Sequence, residues 1–381
     1  MTRVLVAGAG PVGLTAALEL ARHDVPVTVL EAGDELAAES RASTFHPPTL
    51  EMLDGLGVLD ELLERGRVSR TFQYRERSGG MIAELDLSVL SGDTPYPFRV
   101  QCEQSKLTPI LLEHLRKAGG DVRFGARVRD VLTHSGGVEV TTADGTRHRG
   151  GWLIGADGAG SAVRRCTGVE FAGLTYPERF LVASTRTDVA ALLPGIADVN
   201  YVFDPAEWLV LLRTPDHWRV LFPTPEGTPD GDELARLPER LNGVAETGWD
   251  IAHASLYRVH QRAAVRFRVG RVLLAGDAAH VNNPLGGMGM NSGVHDAVLM
   301  AGAVAGVLAG GPEEAVDAVA AARRDVALTF VGRSTHANWE RMRAADPGPY
   351  HAELRALAGD PDAARRHLLR TSMIASLRDA A

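Results

Sequence analysis

The hydrophobic and polar positions at the start of the chain predict a strand, a helix and a second strand. Residues 3–7 form a short apolar run rich in β-branched side chains, which is typical of a strand buried on both faces of a parallel sheet. Helical character follows over residues 12–22, and Val27–Leu30 is a second buried run. This order, with a glycine-rich turn before the helix and all within about 30 residues, indicates a βαβ unit.

Later segments alternate between α/β and β-rich patterns. Helices are predicted at residues 48–66, 105–117 and 292–309, and strands at 81–87, 121–132, 137–142, 151–155 and 271–275. The middle of the chain, residues 176–264, contains strand candidates at 207–213 and 217–222 and few long helical patterns. The C-terminal residues are rich in Ala and Arg and are predicted to be helical.

Composition and charge exclude several classes of protein. The 381 residues are 45% hydrophobic and 23% charged, which is ordinary for a globular protein of about two to three domains. The formal net charge of -8 provides no basic field for nucleic acid. Two cysteines, Cys102 and Cys166, cannot form a disulfide framework in so long a chain. The uncharged apolar stretch at residues 297–312, rich in Ala and Gly, is shorter than the ~20 apolar residues of a membrane span, so we expect a cytoplasmic protein without one.

The turn after the first strand carries the pattern G-x-G-x-x-G, read as Gly8-Ala9-Gly10-Pro11-Val12-Gly13. The first glycine permits a tight turn, the second lets the backbone approach a pyrophosphate, and the third allows close packing of helix on strand. The start of the helix adds N–H groups and partial positive charge. Glu31 ends the second strand, where a carboxylate accepts a hydrogen bond from a ribose hydroxyl and disfavours a 2′-phosphate. The unit therefore predicts a site for FAD or NAD rather than NADP.

A second glycine-rich loop lies between a buried strand and a long apolar helix. The strand delivers Asp277 to a turn, where its carboxylate is either a helix cap or an acceptor for polyol hydroxyls. Residues 284–293 then present bare backbone N–H groups at a helix N-terminus, which suits a heterocycle that becomes anionic, as reduced flavin does. Asn291 and Ser292 are either caps or donors to such a ring. Neither glycine loop contains a histidine or cysteine, so the two loops together predict a noncovalent flavin.

A third strand–turn–helix segment, residues 153–164, contains Asp157-Gly158, which taken alone is a turn dipeptide. With the other two motifs, and in the same order, it resembles the single-component FAD-dependent aromatic hydroxylases, that is, the para-hydroxybenzoate hydroxylase-like flavoprotein monooxygenases. The resemblance covers most of residues 1–310. The chain departs from the family at residues 280–284, where many members carry a double proline.

The resemblance implies a set of FAD contacts. They are Gly8, Gly10, Pro11, Val12 and Gly13 in the first loop, Glu31 and Ala32 at the ribose, Arg41, Gln104, Val128 at the adenine, Asp157, Asp277 at the ribityl chain, and Pro284, Gly287, Met288, Gly289, Met290 and Asn291 at the flavin ring. We expect an α/β fold in three parts. These are a discontinuous Rossmann-type FAD-binding domain (1–70, 100–175 and 265–335), an inserted β-sheet substrate domain (71–99 and 176–264) and a C-terminal helical segment (336–381).

The resemblance also implies the chemistry. NADPH or NADH reduces the flavin transiently, since no second G-x-G-x-x-G opens a βαβ unit for a resident nicotinamide. The reduced flavin then captures O2 as a C4a-hydroperoxyflavin, which hydroxylates an aromatic or phenolic small molecule, with polycyclic secondary metabolites among the candidates. Baeyer–Villiger or epoxidising monooxygenation and non-catalytic flavin binding are the alternatives. No metal site is predicted, and a monomer and a dimer both stay open.

The substrate pocket is expected in the β-rich insertion, packed over the flavin. Arg213, His217, Arg219 and Tyr257 are candidates to bind or deprotonate a phenol, and the alternative for each is a solvated strand face. Side-chain alternation places Arg213 on one face with Leu211, whereas Arg219 shares a face with His217. The pattern does not say which face meets the ligand.

Overall fold

A computed structural model describes residues 2–38, 42–78, 80–204 and 206–378. The strands are β1 (Val4–Ala7), β2 (Val27–Leu30), β3 (Thr44–Phe45), β4 (Arg67–Ser69), β5 (Thr71–Glu76), β6 (Gly80–Asp86), β7 (Arg99–Gln101), β8 (Asp121–Arg123), β9 (Val128–His134), β10 (Gly137–Thr142), β11 (Arg147–Gly150), β12 (Trp152–Gly155), β13 (Phe171–Thr185), β14 (Val199–Phe203), β15 (Leu209–Arg213), β16 (Trp218–Pro223), β17 (Ile251–Ala264), β18 (Arg268–Val269), β19 (Val272–Leu274) and β20 (His280–Val281).

The helices are α1 (Pro11–Arg22), α2 (Pro47–Gly55), α3 (Leu59–Arg65), α4 (Gln104–Lys117), α5 (Ala162–Cys166), α6 (Val189–Leu192), α7 (Asp230–Ala235), α8 (Leu237–Asn242), α9 (Gly289–Leu308), α10 (Glu314–Asp325), α11 (Arg333–Met342), α12 (Gly348–Gly359), α13 (Pro361–Thr371) and α14 (Ala375–Arg378). Short 3-10 turns span Leu87–Leu90 and Gly276–Ala278, and a π-helical stretch, Val326–Gly332, joins α10 to α11.

A six-stranded sheet carries the first glycine-rich turn. Its strand order is β18-β19-β12-β1-β2-β8, and every neighbouring pair is parallel except β18 with β19. All residues of β1, β2 and β12 are buried, which explains why these strands are apolar runs without alternation. Helices α1, α4 and α9 cover the sheet through a core that includes Leu14, Leu111 and Met300. The carboxyl ends of β1 and β12 meet at one edge, where ligands of such sheets bind.

An eight-stranded sheet is built largely from the middle of the chain, in the order β20-β17-β13-β16-β15-β14-β5-β6. Alternation gives it two faces with different neighbours. Val210 and Leu221 belong to a cluster with Leu354 of α12, so this face meets the C-terminal helices. Leu211 packs instead with Leu241 of α8. Two three-stranded sheets, β3-β7-β4 and β11-β10-β9, complete the structure over the described residues.

The predicted fold class, a Rossmann-type α/β part with an inserted β-rich part and a helical C-terminal region, is confirmed, but two predicted elements are divided. The helix expected over 48–66 is two helices, α2 and α3, because the chain turns at Gly57, where φ is +72°. The strand expected over 121–132 is β8 and β9, which lie in different sheets on either side of Gly125 at φ +67°. Within the described ranges, every helix is too short or too polar to cross a membrane.

Candidate active site

The turn between β1 and α1 is packed so closely that two of its glycines admit no side chain. A Cβ atom on Gly8, whose φ is +99°, would lie 2.4 Å from the carbonyl oxygen of Ala156, and one on Gly13 would lie 1.9 Å from that of Gly8. Gly10 differs, because nothing lies within 4 Å of the place its Cβ would take. Gly10 is also the N-cap residue of α1, so this helix begins without a side-chain cap. The N–H groups at the start of α1 are therefore available to an anion.

Glu31 lies just after β2 and braces the same turn. Its Oε2 accepts a hydrogen bond from the backbone N–H of Ala9 at 2.5 Å, and its Oε1 accepts one from Gly33 at 2.8 Å. Ala32, which lies between Glu31 and Gly33 in the sequence, is half-buried. A carboxylate oxygen has more than one acceptor site, so Glu31 retains capacity for a ribose hydroxyl while holding the loop.

Asp157 follows β12 beside this turn and caps helix α5. Its Oδ1 accepts from the hydroxyl of Ser161 at 2.5 Å, and its Oδ2 accepts from the backbone N–H groups of Ala162 at 2.7 Å and Val163 at 3.1 Å. These bonds satisfy the first donors of the helix, whose N-cap residue is Ser161, so Asp157 supports the helix start from outside it. Its contact with FAD or a nicotinamide stays a prediction.

Asp277 lies exposed in the 3-10 turn Gly276–Ala278, and a buried ion pair holds this turn in place. The carboxylate of Asp296, on α9, is fully buried and accepts from the backbone N–H of Gly276 at 3.1 Å. It lies 2.8 Å from Nε2 of His280 and accepts from Nε of Arg323, on α10, at 2.7 Å. Burial alone would raise the pKa of Asp296, but the charges of Arg323 and His280 outweigh burial and hold it below its ordinary value.

The second glycine loop ends in an uncapped helix. Positive φ angles occur at Gly286 (+112°) and Gly287 (+65°), whereas Gly289 lies outside that region and begins α9. Met288 is the N-cap and makes no side-chain cap. Pro284 accepts a hydrogen bond from Gly287, which closes the turn before the helix. The first N–H groups of α9, from Gly289 onward, are therefore free of intrahelical acceptors at the loop.

The side chain of Asn291 ties this loop to the β3–α2 connection. Its Oδ1 accepts from the backbone N–H of His46 at 2.9 Å, and its Nδ2 donates to the carbonyls of Thr44 at 2.8 Å and Gly287 at 2.6 Å. Nε2 of His46 lies 2.9 Å from the carbonyl oxygen of Gly286. Both groups of the Asn291 amide are thus engaged within the protein, and its contact with a flavin ring stays a prediction.

A row of polar side chains follows the side of β7 that faces the eight-stranded sheet. Arg99, Gln101 and Glu103 alternate with Val100 and Cys102, which belong to the core of the parallel sheet. All three polar residues are buried. Within the part of the chain that the structure describes, Nε of Arg99, Nε2 of Gln101 and both carboxylate oxygens of Glu103 lack hydrogen-bond partners, although Nζ of Lys106 lies 3.6 Å from Oε2 of Glu103. Buried polar atoms are almost always paired in folded proteins, so this row, which we call the β7 row, marks a place for a polar ligand.

Three more of the expected FAD contacts are accounted for as follows. Gln104 begins α4 directly after the β7 row and is half-buried. Val128 is buried at the start of β9. Arg41 lies outside the described residues.

A pocket lies where the eight-stranded sheet, the second glycine loop and the C-terminal helices meet. The sheet contributes Phe72, Tyr74, Tyr201 and Phe203, the loop contributes Gly286 and Met288, helices α11–α13 contribute Asn338, Arg341, Met342, Tyr350 and Thr371, and Arg99 of the β7 row completes the lining. Five of the twelve lining residues are aromatic, and the pocket shares a wall with the loop expected to hold a flavin.

The four residues proposed from sequence to contact the substrate are dispersed, and the lining given above contains none of them. Arg219 is on the pocket side of its sheet, and its Nη1 lies 3.4 Å from the hydroxyl of Ser43. Tyr257 is on the same side and 38% exposed. Arg213 is on the opposite face, and His217 is in the hairpin turn after it. Their roles stay predictions.

Sequence reasoning missed the buried ion pair and the β7 row, although both leave a signal. Asp296 is the sole Asp, Glu, Lys or Arg in the apolar helix α9, and an isolated charge there requires a partner. Arg99, Gln101 and Glu103 show strict polar–apolar alternation around a short strand. Such alternation indicates one face toward the core and one toward something polar.

These features together fit FAD. The site supplies donors and acceptors for pyrophosphate, ribose and a flavin ring. It contains two uncapped helix N-termini, an unobstructed approach at Gly10, a carboxylate beside the first turn and buried polar atoms of the β7 row that lack partners among the described residues. Comparison with known families decides the point, because the FAD binding domain family matches residues 1–334. The chain belongs to this FAD-binding family.

Several known proteins are similar to this chain in sequence or in structure. Para-nitrophenol 4-monooxygenase from Pseudomonas sp. (strain WBC-3) is 37% identical over 356 residues, which cover 90% of this chain and 88% of the relative. The crystal structure of p-nitrophenol 4-monooxygenase PnpA from Pseudomonas putida DLL-E4 matches with a TM-score of 0.92 and 34% identity over 97% of this chain and 98% of that chain. The crystal structure of aklavinone-11 hydroxylase, solved with FAD and aklavinone, matches with a TM-score of 0.81 and 30% identity over 93% of this chain and 70% of that chain.

The predicted resemblance is confirmed by these matches. The protein is an FAD-dependent monooxygenase of aromatic compounds, with NAD(P)H as the electron donor typical of the FAD-binding family. The predicted FAD cofactor and oxidoreductase activity are therefore confirmed as well.

Proposed function

We propose that this monooxygenase hydroxylates a small, single-ring phenol in the pocket between the eight-stranded sheet and the second glycine loop. The observation that carries the proposal is the lining of that pocket. The rings of Tyr74 and Tyr201 stack with centroids 5.5 Å apart, and Phe72 meets Tyr201 edge-on at 6.4 Å. Aromatic walls of this kind hold a flat ring in stacked or edge-on contact. Met288 places the glycine loop in the same lining, so a bound ring lies next to the proposed flavin site.

The residues of the parallel sheet would hold the cofactor. The N-terminus of α1 would bind the pyrophosphate, Glu31 would accept from the ribose, and the N-terminus of α9 would stabilise negative charge on the flavin ring. Bound FAD supplies the oxidising chemistry, since it takes electrons from NAD(P)H and activates O2 for transfer of one oxygen atom. In this division the six-stranded sheet serves the cofactor and the eight-stranded sheet serves the substrate.

The protein's own contribution is then to position the ring and exclude water. Tyr350 and Thr371, from the C-terminal helices, close the side of the pocket away from the sheet. Enclosure strengthens each polar contact inside and keeps a correctly placed ring against the cofactor. The relatives support this assignment, because two of them act on para-nitrophenol by name. The third relative is a hydroxylase named for aklavinone, which is polycyclic. A polycyclic substrate is therefore the result that would replace the assignment of a single-ring phenol.

The test measures O2 uptake and NAD(P)H oxidation by the FAD-loaded protein with a panel of phenols. Single-ring phenols with a para substituent should stimulate both rates and give a product heavier by one oxygen atom. Phe203→Leu, in the pocket, should raise KM without changing FAD content, whereas Phe98→Leu, the same change outside the pocket lining, should leave KM unaltered. Turnover of polycyclic phenols alone would overturn the assignment.

A further inference from the structure

The pocket proposed for the substrate is nearly closed in this structure. Its free volume is about 20 Å³, which is room for about one water molecule. By comparison, a cavity that holds benzene measures on the order of 150 Å³. A phenol can therefore enter only if side chains of the lining move, and the side chains that can move determine which ring systems fit.

Most of the large side chains in the lining are held by contacts with one another. The hydroxyls of Tyr74 and Tyr350 hydrogen bond to each other, and the guanidinium of Arg99 hydrogen bonds to the hydroxyl of Tyr201. The guanidinium of Arg341 lies over the ring of Tyr350, 4.8 Å from its centre. Moving any of these side chains breaks a contact inside the lining, so they are poor candidates to open the pocket.

Met342 differs from these residues, because a second cavity lies beside it. It is the last residue of α11 and 5% exposed, and it belongs to an apolar cluster with Phe203 and Trp208. Among the described residues, Met342 alone lines both the substrate pocket and this second cavity. A methionine side chain has three rotatable bonds and makes no strong hydrogen bond, so it can turn aside at little cost.

The second cavity, which we call the second cleft, is large enough for a further ring. Its volume is about 390 Å³, which is within the range of ligand pockets in proteins. It is lined by residues 177–178 of β13, Asp204 and residues 206–208 before β15, residues 223–226 at the end of β16, and residues 342–344. Because both cavities touch Met342, this residue separates the closed pocket from a space that is already open.

Carboxylates give the second cleft a negative charge. Its acidic lining residues are Glu178, Asp204, Glu207 and Glu226. Arg343 is the sole cationic side chain among the described residues of this lining. Glu207 is also paired with Arg240, whose Nε lies 2.7 Å from its Oε1, so three carboxylates remain for one guanidinium. Glu178 is 6% exposed, and its Oε2 has no hydrogen-bond partner within the described part of the chain. The cleft therefore favours a neutral or cationic group over an anion.

We propose that Met342 limits the length of the ring system that this enzyme accepts, because its side chain closes the substrate pocket against the second cleft. Turning this side chain makes room for one ring, but the methionine still stands between that ring and the cleft. A shorter residue joins the two cavities and admits a second ring, whose far end lies among the carboxylates. This inference rests on the proposed function and names the residue that restricts its substrate class.

The test compares a one-ring phenol with a two-ring phenol, 4-methylphenol with 4-phenylphenol. The FAD-loaded wild type should favour 4-methylphenol in kcat/KM, and Met342→Ala should shift the ratio of the two values toward 4-phenylphenol by about ten- to hundredfold. Flavin difference spectra without NAD(P)H should show the shift in Kd, which assigns it to binding. A ratio that is unchanged in Met342→Ala, or a wild type that uses both phenols equally well, would overturn the proposal.

Two other variants show whether the effect belongs to this position. Met300→Ala shortens a buried methionine in the core of the parallel sheet, outside the lining of both cavities, and should leave the ratio unchanged. Met342→Val should shift the ratio in the same direction as Met342→Ala but by less, which provides a test if the alanine variant folds poorly. The ratio does not depend on the fraction of folded protein, since both phenols are measured on one preparation. An equal shift in Met300→Ala would contradict the assignment.

The charge of the second cleft provides an independent measurement. In Met342→Ala, a 4-phenylphenol with an aminomethyl group at the far end of its second ring should bind at least about tenfold more tightly than the matched carboxylate. Adding Glu178→Gln, which keeps the shape of the side chain without its charge, should reduce this preference. Equal affinity for the two compounds in Met342→Ala would show that the second ring does not enter the cleft, and the proposal would be wrong.

The proposed function and this inference fail in different ways. If the wild-type protein turns over no single-ring phenol, the proposed function fails. If it hydroxylates single-ring phenols but Met342→Ala leaves the ratio for the two-ring phenol unchanged, the function stands and the role of Met342 is wrong. Turnover of 4-methylphenol by the wild type separates the two results.

Discussion

Gly10 and Gly13 belong to one loop, yet a side chain at the two positions would meet different surroundings. A Cβ at Gly13 would lie 1.9 Å from the carbonyl oxygen of Gly8, so Gly13→Ala should destabilise the protein even without FAD. A Cβ at Gly10 would meet nothing within 4 Å, and φ of -74° there suits alanine. We therefore expect Gly10→Ala to fold with a nearly unchanged Tm but to bind FAD weakly, since its methyl group occupies the approach of the pyrophosphate.

Thermal unfolding of the FAD-free variants and fluorescence titration with FAD measure the two effects separately. The control is internal, because Gly13→Ala should lower Tm in the absence of FAD and Gly10→Ala should not. If Gly10→Ala bound FAD within roughly twofold of the wild-type Kd, the pyrophosphate would not lie at the N-terminus of α1.

Spacing in the sequence was enough to predict these glycines, but not the residues around the ring. The demand on Gly13 is local, because it is set within a single strand–turn–helix unit, whereas a Cβ on Gly8 would meet Ala156, which follows β12. Arg99 is different, since its neighbours Phe72 and Tyr201 come from strands of another sheet. Alternation along β7 shows that one face is polar, but only the fold shows what lies opposite it.

At the scale of elements, the junction of α9, α10 and the Asp277 turn depends on the buried carboxylate of Asp296. It joins Gly276, His280 and Arg323 through hydrogen bonds and charge. Asp296→Asn would leave Arg323 buried without its counter-ion, so we expect the free energy of unfolding to fall by about 3–5 kcal/mol. Asp317→Asn removes an exposed carboxylate from Arg268, which keeps its second partner Glu313, so this change should cost about 1 kcal/mol or less. Urea unfolding at pH 7 compares the two variants.

The same carboxylate should make stability depend on pH. The pKa of Asp296 is lower in the folded protein than its ordinary value, so the unfolded chain takes up the proton first as the solution is acidified. The contribution of Asp296 is therefore complete above about pH 4 and is lost as the pH falls through the lowered folded pKa. Unfolding free energies of wild type and Asp296→Asn should consequently converge at low pH. A difference that stayed constant down to pH 3 would show that charge is not its origin.

The positions of helices and strands were predictable wherever a single hydrophobic pattern extended over the whole element. The apolar runs of β1 and β12 and the long apolar helix α9 are examples, because burial on both sides leaves a continuous pattern. The predicted helix over 48–66 was wrong at its centre, where a left-handed glycine ends α2. Hydrophobic periodicity continues through such a turn when both flanking helices pack on the same core.

At the scale of the whole molecule, the substrate pocket is assembled from three distant parts of the chain. The sheet supplies aromatic walls, the glycine loop supplies the side next to the flavin site, and the C-terminal helices supply Tyr350 and Thr371. No local pattern predicted that the C-terminal segment would form a wall, because its helices are amphipathic and would pack on any apolar face. Substrate affinity should therefore depend on how firmly those helices are held.

Arg365 and Arg378 attach the C-terminal helices to the rest of the protein. Nη2 of Arg365 and Nη1 of Arg378 reach the buried carboxylate of Asp93 at 2.6 and 3.0 Å. In the double variant Arg365→Gln/Arg378→Gln we expect KM for the aromatic substrate to rise a few-fold, because the pocket wall is less firmly held. The Kd of FAD should not change, since the expected FAD contacts lie on other elements. Arg366→Gln, an exposed neighbour on the same helix, is the control. A parallel loss of FAD affinity would show that the C-terminal helices support the whole fold rather than the substrate wall.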